Sequence, residues 1–213
     1  MAIIDDISAA LQRGKKKEVV ALVQQALDEG IAAEDILKDG LLAGMDIIGG
    51  KFKRDEIFVP EVLVAARAMN AGTALLKEHL SDDAAAPIGK ACIGTVKGDM
   101  HDIGKNLVRM MIEGKGIEVI DLGVDVAPED FVKCAAENNC DIICCSALLT
   151  TTMPMLGEVV KAAKEAGIRD KVTIMIGGAP VNQAFCESVG ADIYTDDAAS
   201  AAEEAVRVLT KSA

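Results

Sequence analysis

The chain has 213 residues, a formal net charge of −12 and a hydrophobic fraction of 51%, of which aromatics supply almost nothing at 2% of residues, with no Trp and one Tyr. That excess of acid argues against a nucleic-acid partner or an anionic membrane surface, since both attract Lys and Arg. A core lacking aromatic bulk must be built from Ala, Val, Ile, Leu and Met, which suits helices packed on a buried parallel sheet, and the length allows one or two domains.

The opening segment, MAIIDDISAALQRGKKK, is acidic before it is basic and lacks the apolar stretch of a signal peptide. No apolar run approaches the roughly 20 residues of a spanning helix, so a cytoplasmic protein is expected. Up to about residue 80 the apolar residues recur at helical spacing, in EVVALVQQALDEG, AEDILKDGLLAGMDIIG and VPEVLVAARAMNAGTALLKEHL. Gly30 reads as a helix stop and Pro60 as a first-turn proline, and four helices are expected. Ser81 to Lys90, SDDAAAPIGK, has the composition of an exposed linker. The expected division is a helical domain at residues 1–86 and an α/β domain at 89–213.

Past the linker, short β-rich runs alternate with helical stretches: KACIGTV, EVIDLG, DIICCS, VTIMIGG and ADIY. Five strands separated by helices imply a parallel sheet covered on both faces, and the natural arrangement is flavodoxin-like, in the order 2-1-3-4-5. The six cysteines, Cys92, Cys134, Cys140, Cys144, Cys145 and Cys186, sit mostly in apolar segments, so buried free thiols are expected. Cys140, Cys144 and Cys145 lack the paired spacing of a zinc site.

In an open parallel sheet ligands bind beyond the carboxyl ends of the strands, where the strand order reverses. Strand 1 leaves into GDMHDIG, strand 3 into SALLTTTM from Ser146 and strand 4 into GGAP from Gly177, so three unusual stretches converge on one edge. Asp99 and His101 are close enough for the carboxylate to accept one imidazole N–H, which fixes the tautomer and leaves the other nitrogen as a directed lone pair. Gly98, Gly104, Gly177 and Gly178 remove side chains where something large would approach the backbone. Ser146 is placed to donate its hydroxyl to Asp99. Singly, each has an ordinary explanation: Gly177 and Gly178 as a tight turn, Ser146 as a helix initiator. One histidine without other protein ligands holds a free metal ion poorly, but it can cap a metal already bound in a macrocycle. His79, in LLKEHLSDD, has no such company and reads as a solvated residue.

Together VKGDMHDIGKN, SALLTTT, IGGAP and the upstream FVPEVLVAARAM resemble the corrinoid proteins of methyltransferase systems and the cobalamin-binding region of cobalamin-dependent methionine synthase, across nearly the whole chain. The resemblance implies a cobalamin or related corrinoid whose cobalt takes His101 as lower ligand. Asp99 would orient the histidine and Ser146 would continue the hydrogen-bond chain. Gly98, Met100, Asp102, Ile103, Gly104, Leu148, Thr150, Gly177 and Gly178 would contact the cofactor, with Phe58 and Val62 of the helical cap over its reactive face.

The function so implied is a methyl carrier, loaded by a substrate-specific methyltransferase and unloaded by an acceptor methyltransferase using tetrahydrofolate or coenzyme M, with a reductive activator as a further partner. The cobalamin-binding subunit of an adenosylcobalamin-dependent isomerase is the alternative, although such chains usually lack this helical half.

Overall fold

The computed structural model describes residues 2–80 and 86–211; the first half of the expected linker, residues 81–85, lies outside the described residues. The chain separates into two compact units that part between Pro87 and Ile88, with Gly114–Gly116 grouped with the first.

The first unit is helical. It contains α1 (Ala2–Gln12), α2 (Lys16–Asp28), α3 (Ala33–Asp35), a π-helical segment (Ile36–Leu42), α4 (Ala43–Lys53) and α5 (Val59–Leu76). α3, the π segment and α4 follow without a break, so the expected number of four helices depends on whether this run is counted once. The periodic apolar residues face inward: Ile7, Leu11, Val19, Val23, Ile36, Leu41, Ile48 and Val62 are fully or almost fully buried. Pro60 lies in the first turn of α5, where its missing N–H would have had no helical partner anyway.

The second unit alternates strand and helix: β1 (Lys90–Thr95), α6 (Ile103–Glu113), β2 (Glu118–Asp121), α7 (Pro128–Asn138), β3 (Ile142–Ser146), α8 (Pro154–Glu165), β4 (Thr173–Gly177), α9 (Gln183–Val189), β5 (Ile193–Tyr194) and α10 (Ala198–Lys211). Each of the five β-rich runs holds one strand. The strands pair in parallel in the order β2-β1-β3-β4-β5, the flavodoxin-like arrangement expected from the alternation. In register, Thr95 of β1 lies beside Ser146 of β3, and Ser146 beside Gly177 of β4, so the three unusual loops do leave from adjacent points.

Because β1 and β3 are covered on both faces, Ala91, Cys92, Ile142 and Ile143 are wholly removed from solvent. Phe131 of α7 is the largest fully buried side chain and fits because β1 carries glycine at position 94: a Cβ there would lie 2.8 Å from the phenyl ring. Gly94→Ala is therefore expected to cost about 1–3 kcal/mol through overpacking. Urea unfolding reads the loss, and an unchanged midpoint would contradict this account of the ring's seat.

Candidate functional site

The loop between β1 and α6 is built around Asp99, whose side chain is completely buried although it carries a charge. Its Oδ1 accepts the His101 backbone N–H at 3.1 Å and lies 2.9 Å from His101 Nδ1. Its Oδ2 accepts the N–H groups of Leu148 at 2.7 Å and Leu149 at 3.2 Å and the Thr152 hydroxyl at 2.8 Å. An ionised carboxylate only accepts, so Nδ1 carries a proton, and in the neutral ring Nε2 is then the nitrogen with the lone pair. The imidazole is 54% exposed, so a buried anion orients a ring that is open to the outside.

The rest of the loop is fixed by groups that the sequence does not advertise. Thr95, buried at the end of β1, donates its hydroxyl to the His101 carbonyl at 2.7 Å. Asp125 accepts Gly98 N–H at 2.8 Å, while its own N–H bonds the Asp99 carbonyl at 3.0 Å, from a left-handed backbone with φ of 56°. Lys105, buried in the first turn of α6, pairs with Asp121 at the end of β2 and donates to Asn106, whose amide in turn reaches Asp102. Burial works to raise the Asp121 carboxyl, but the Lys105 ammonium and the Gly123 N–H outweigh it and hold it lowered.

Burial alone would likewise push the Asp99 carboxyl up. The bonds from Leu148, His101 and Thr152 outweigh it and hold the group well below the usual carboxylate range. A folded value below the unfolded value of about 4 means that the stabilisation is present above that pH and is lost as pH falls through the folded value. Asp99→Asn removes a titrating group, so its stability is expected to fall less steeply than the wild type's below about pH 4. Chemical denaturation across that range checks the difference, and parallel curves would contradict it.

The bond expected from Ser146 goes instead to Thr152. Ser146 is half-buried and its hydroxyl does not reach Asp99; five donors already fill both carboxylate oxygens. The two leucine N–H groups matter as much, and no side-chain pattern could reveal them. Val62 is also displaced from its expected place: it is fully buried inside the helical unit and has no surface to offer a ligand in this conformation, whereas Phe58 at the start of α5 is 66% exposed. Thr150 and Asp102 are exposed.

Around the imidazole, large apolar side chains stand in solvent without cover: Met100 at 69%, Ile103 at 76%, and Leu148 and Leu149 at about 40% exposure. Such a cluster marks a surface made to be covered. Beside it, a Cβ added at Gly104 would meet nothing within 4 Å, so there is open space next to that backbone. Gly178, with φ of 128°, lies so close to the Ala147 carbonyl that a Cβ would fall 1.8 Å from its oxygen. One exposed histidine, an apolar surround and open space beside Gly104 fit a large macrocycle with a metal at its centre.

Comparison with known proteins points the same way. Residues 89–206 match the B12 binding domain family, and residues 3–77 match a second family of the same description. The dimethylamine corrinoid protein of Methanosarcina barkeri is 41% identical over 97% of this chain and 97% of its own length. Among solved structures, a chain of the methanol:cobalamin methyltransferase complex MtaBC from Methanosarcina barkeri superposes with a TM-score of 0.89 at 31% identity, covering 98% of this chain and 80% of that one. A cobalamin-binding protein from Desulfitobacterium hafniense DCB-2 gives 0.80 at 31% identity, covering 96% and 98%. Both units match a B12 binding domain family, the dimethylamine corrinoid protein is matched over 97% of its length, and the chain belongs to the family of B12-binding corrinoid proteins.

Proposed function

We propose that this chain is a methyl carrier in a corrinoid-dependent methyltransferase system, with residues 89–213 holding the corrinoid and residues 1–86 serving as its cap domain. The single observation that carries the reading is the exposed His101 imidazole, held through Nδ1 by buried Asp99 amid uncovered apolar side chains. Bound corrinoid supplies a cobalt centre on which a methyl group can be held between donor and acceptor.

The chain's own residues do the rest. His101 Nε2 would hold the cobalt, and Asp99, which accepts the Nδ1 proton, would raise the donor strength of the ring. Thr152 and the Leu148 and Leu149 N–H groups keep that carboxylate ionised although it is buried. Gly98, Met100, Asp102, Ile103 and Thr150 would border the cofactor, and Gly104, Leu148, Gly177 and Gly178 would line the slot for its nucleotide tail. Ser146, at the end of β3, would sit beside that slot, and Phe58, 66% exposed on the helical unit, would be the cap's contribution to the site.

The partners are a substrate-specific methyltransferase, an acceptor methyltransferase using tetrahydrofolate or coenzyme M, and a reductive activator. A similar chain occurs in a methyltransferase complex acting on methanol, and a similar curated protein is named for dimethylamine, which favours methyl transfer over the isomerase alternative. A small methylated amine or alcohol is accordingly the donor class.

The test is reconstitution with hydroxocobalamin followed by gel filtration and a visible spectrum. The wild type is expected to retain one corrinoid per chain. Gly104→Leu is expected to weaken retention at least about tenfold, the lower end of what loss of a supporting group does at a metal site, with little change in melting temperature because the added side chain meets open space. Undiminished retention by the folded variant would refute the slot.

A further inference from the structure

Three of the six cysteines converge far from the histidine loop. Cys92 lies in β1, Cys134 in the second half of α7, and Cys140 in the turn that leads into β3, toward the edge of the sheet where these strands begin. Their sulfurs all lie within 4.8 Å of one another, all three residues are buried, and none is in a disulfide. No spacing in the sequence announces the group, because the fold assembles it from three separate elements.

From this convergence we propose that Cys92, Cys134 and Cys140 form a three-sulfur site for one monovalent copper ion. Soft thiolates select soft ions, and among the described residues no fourth Cys, His, Asp or Glu joins the three. Zinc would need a fourth ligand to complete its tetrahedron, and the apolar surroundings do not favour a water there. Copper(I) is satisfied by two or three sulfurs. Binding is simple exchange, in which Cu–S bonds form as S–H bonds break and the protons leave to solvent, with no change of oxidation state.

Two further features suit this role. The Asn138 amide lies 3.7 Å from Cys134 Sγ and 2.9 Å from the Cys134 carbonyl, so a hydrogen-bond donor already faces a prospective thiolate. Above the three sulfurs, α7 ends at exposed Asn138 and Asn139, the latter left-handed with φ of 53°, so a short turn separates the group from solvent and gives an ion its way in.

The experiment uses the full chain, reduced and free of corrinoid, titrated anaerobically with copper(I) against a chromophoric competing chelator. One equivalent per chain is expected, with an X-ray absorption shell of sulfur alone. Alkylation mapping should show copper-dependent protection of Cys92, Cys134 and Cys140 but not of Cys144, Cys145 or Cys186. Cys134→Ser is expected to weaken binding about 100-fold or more, and Asn138→Ala about tenfold. Nitrogen or oxygen in the shell, a stoichiometry other than one, or protection of a different set of thiols would overturn the proposal. Should Cys134→Ser fail to fold, the wild-type shell and protection map decide the question by themselves.

Discussion

His101→Ala is expected to abolish the histidine-ligated spectrum of the reconstituted protein and to lower methyl transfer by more than about 100-fold, while the chain stays folded. Loss of a group that merely supports a metal ligand typically costs 10–100-fold, and here the ligand itself goes. Folding should tolerate the change because the ring is more than half exposed and its backbone bonds, to Thr95 and Asp99, survive the substitution. The variant does leave Asp99 buried with one donor fewer, yet three remain on its other oxygen and the His101 N–H remains on the first. Asp99→Asn should be intermediate: the amide offers one accepting oxygen where five donors now share two, so Nδ1 loses its anionic acceptor and the histidine-ligated spectrum weakens without the ring itself being removed. If both variants lost the axial ligand alike, the carboxylate would be holding the ring in position rather than tuning it.

Gly178→Ala is expected to destabilise the second unit by about 3 kcal/mol or more. The residue combines a backbone conformation that side chains rarely adopt with a Cβ position 1.8 Å from the Ala147 oxygen, and the first alone costs about 1–3 kcal/mol. The obstructing group is backbone, at the exit of β3, and it cannot swing aside as a side-chain tip would. Its neighbour provides the control: a Cβ at Gly177 would lie 3.8 Å from the Thr195 carbonyl, an ordinary contact, so Gly177→Ala should change stability by less than about 1 kcal/mol. Urea titrations of the two variants with unchanged slope give the comparison directly. Equal losses would mean that the close approach of the two loops is not what makes glycine necessary at 178.

The contrast between those glycines shows what could be read from the chain alone. GGAP marks a turn beyond a strand, but which glycine is indispensable depends on how near the β3 exit comes, a distance no local pattern encodes. The strands themselves were plain because runs of Ile, Val and Cys between helical stretches have little else to become, and the β-α alternation then fixed their order. Asp99 and His101 were equally plain, since their bond spans two residues and is closed within one loop. Thr152 was not. It reaches Asp99 across 53 positions, from the third of three consecutive threonines, and only the turn after β3 decides which one faces inward. Ser146 was the natural choice by strand register, yet the backbone turns after it and brings the Leu148 and Leu149 N–H groups onto the carboxylate. Val62 fits a helical apolar face equally well whether that face meets a ligand or its own bundle, and here it meets the bundle.

The central claim is that the nitrogen bound to cobalt belongs to His101. The measurement is electron paramagnetic resonance of the protein reconstituted with cobalamin and reduced to the cobalt(II) state, prepared with histidine of natural abundance and with nitrogen-15 histidine. Since the chain has only two histidines, the same pair of samples in a His79→Gln background removes the exposed second one from consideration. The account predicts that the axial superhyperfine pattern changes from the triplets of nitrogen-14 to the doublets of nitrogen-15, with or without His79. A pattern unaltered by labelling would place another nitrogen on the cobalt and contradict the role assigned to His101.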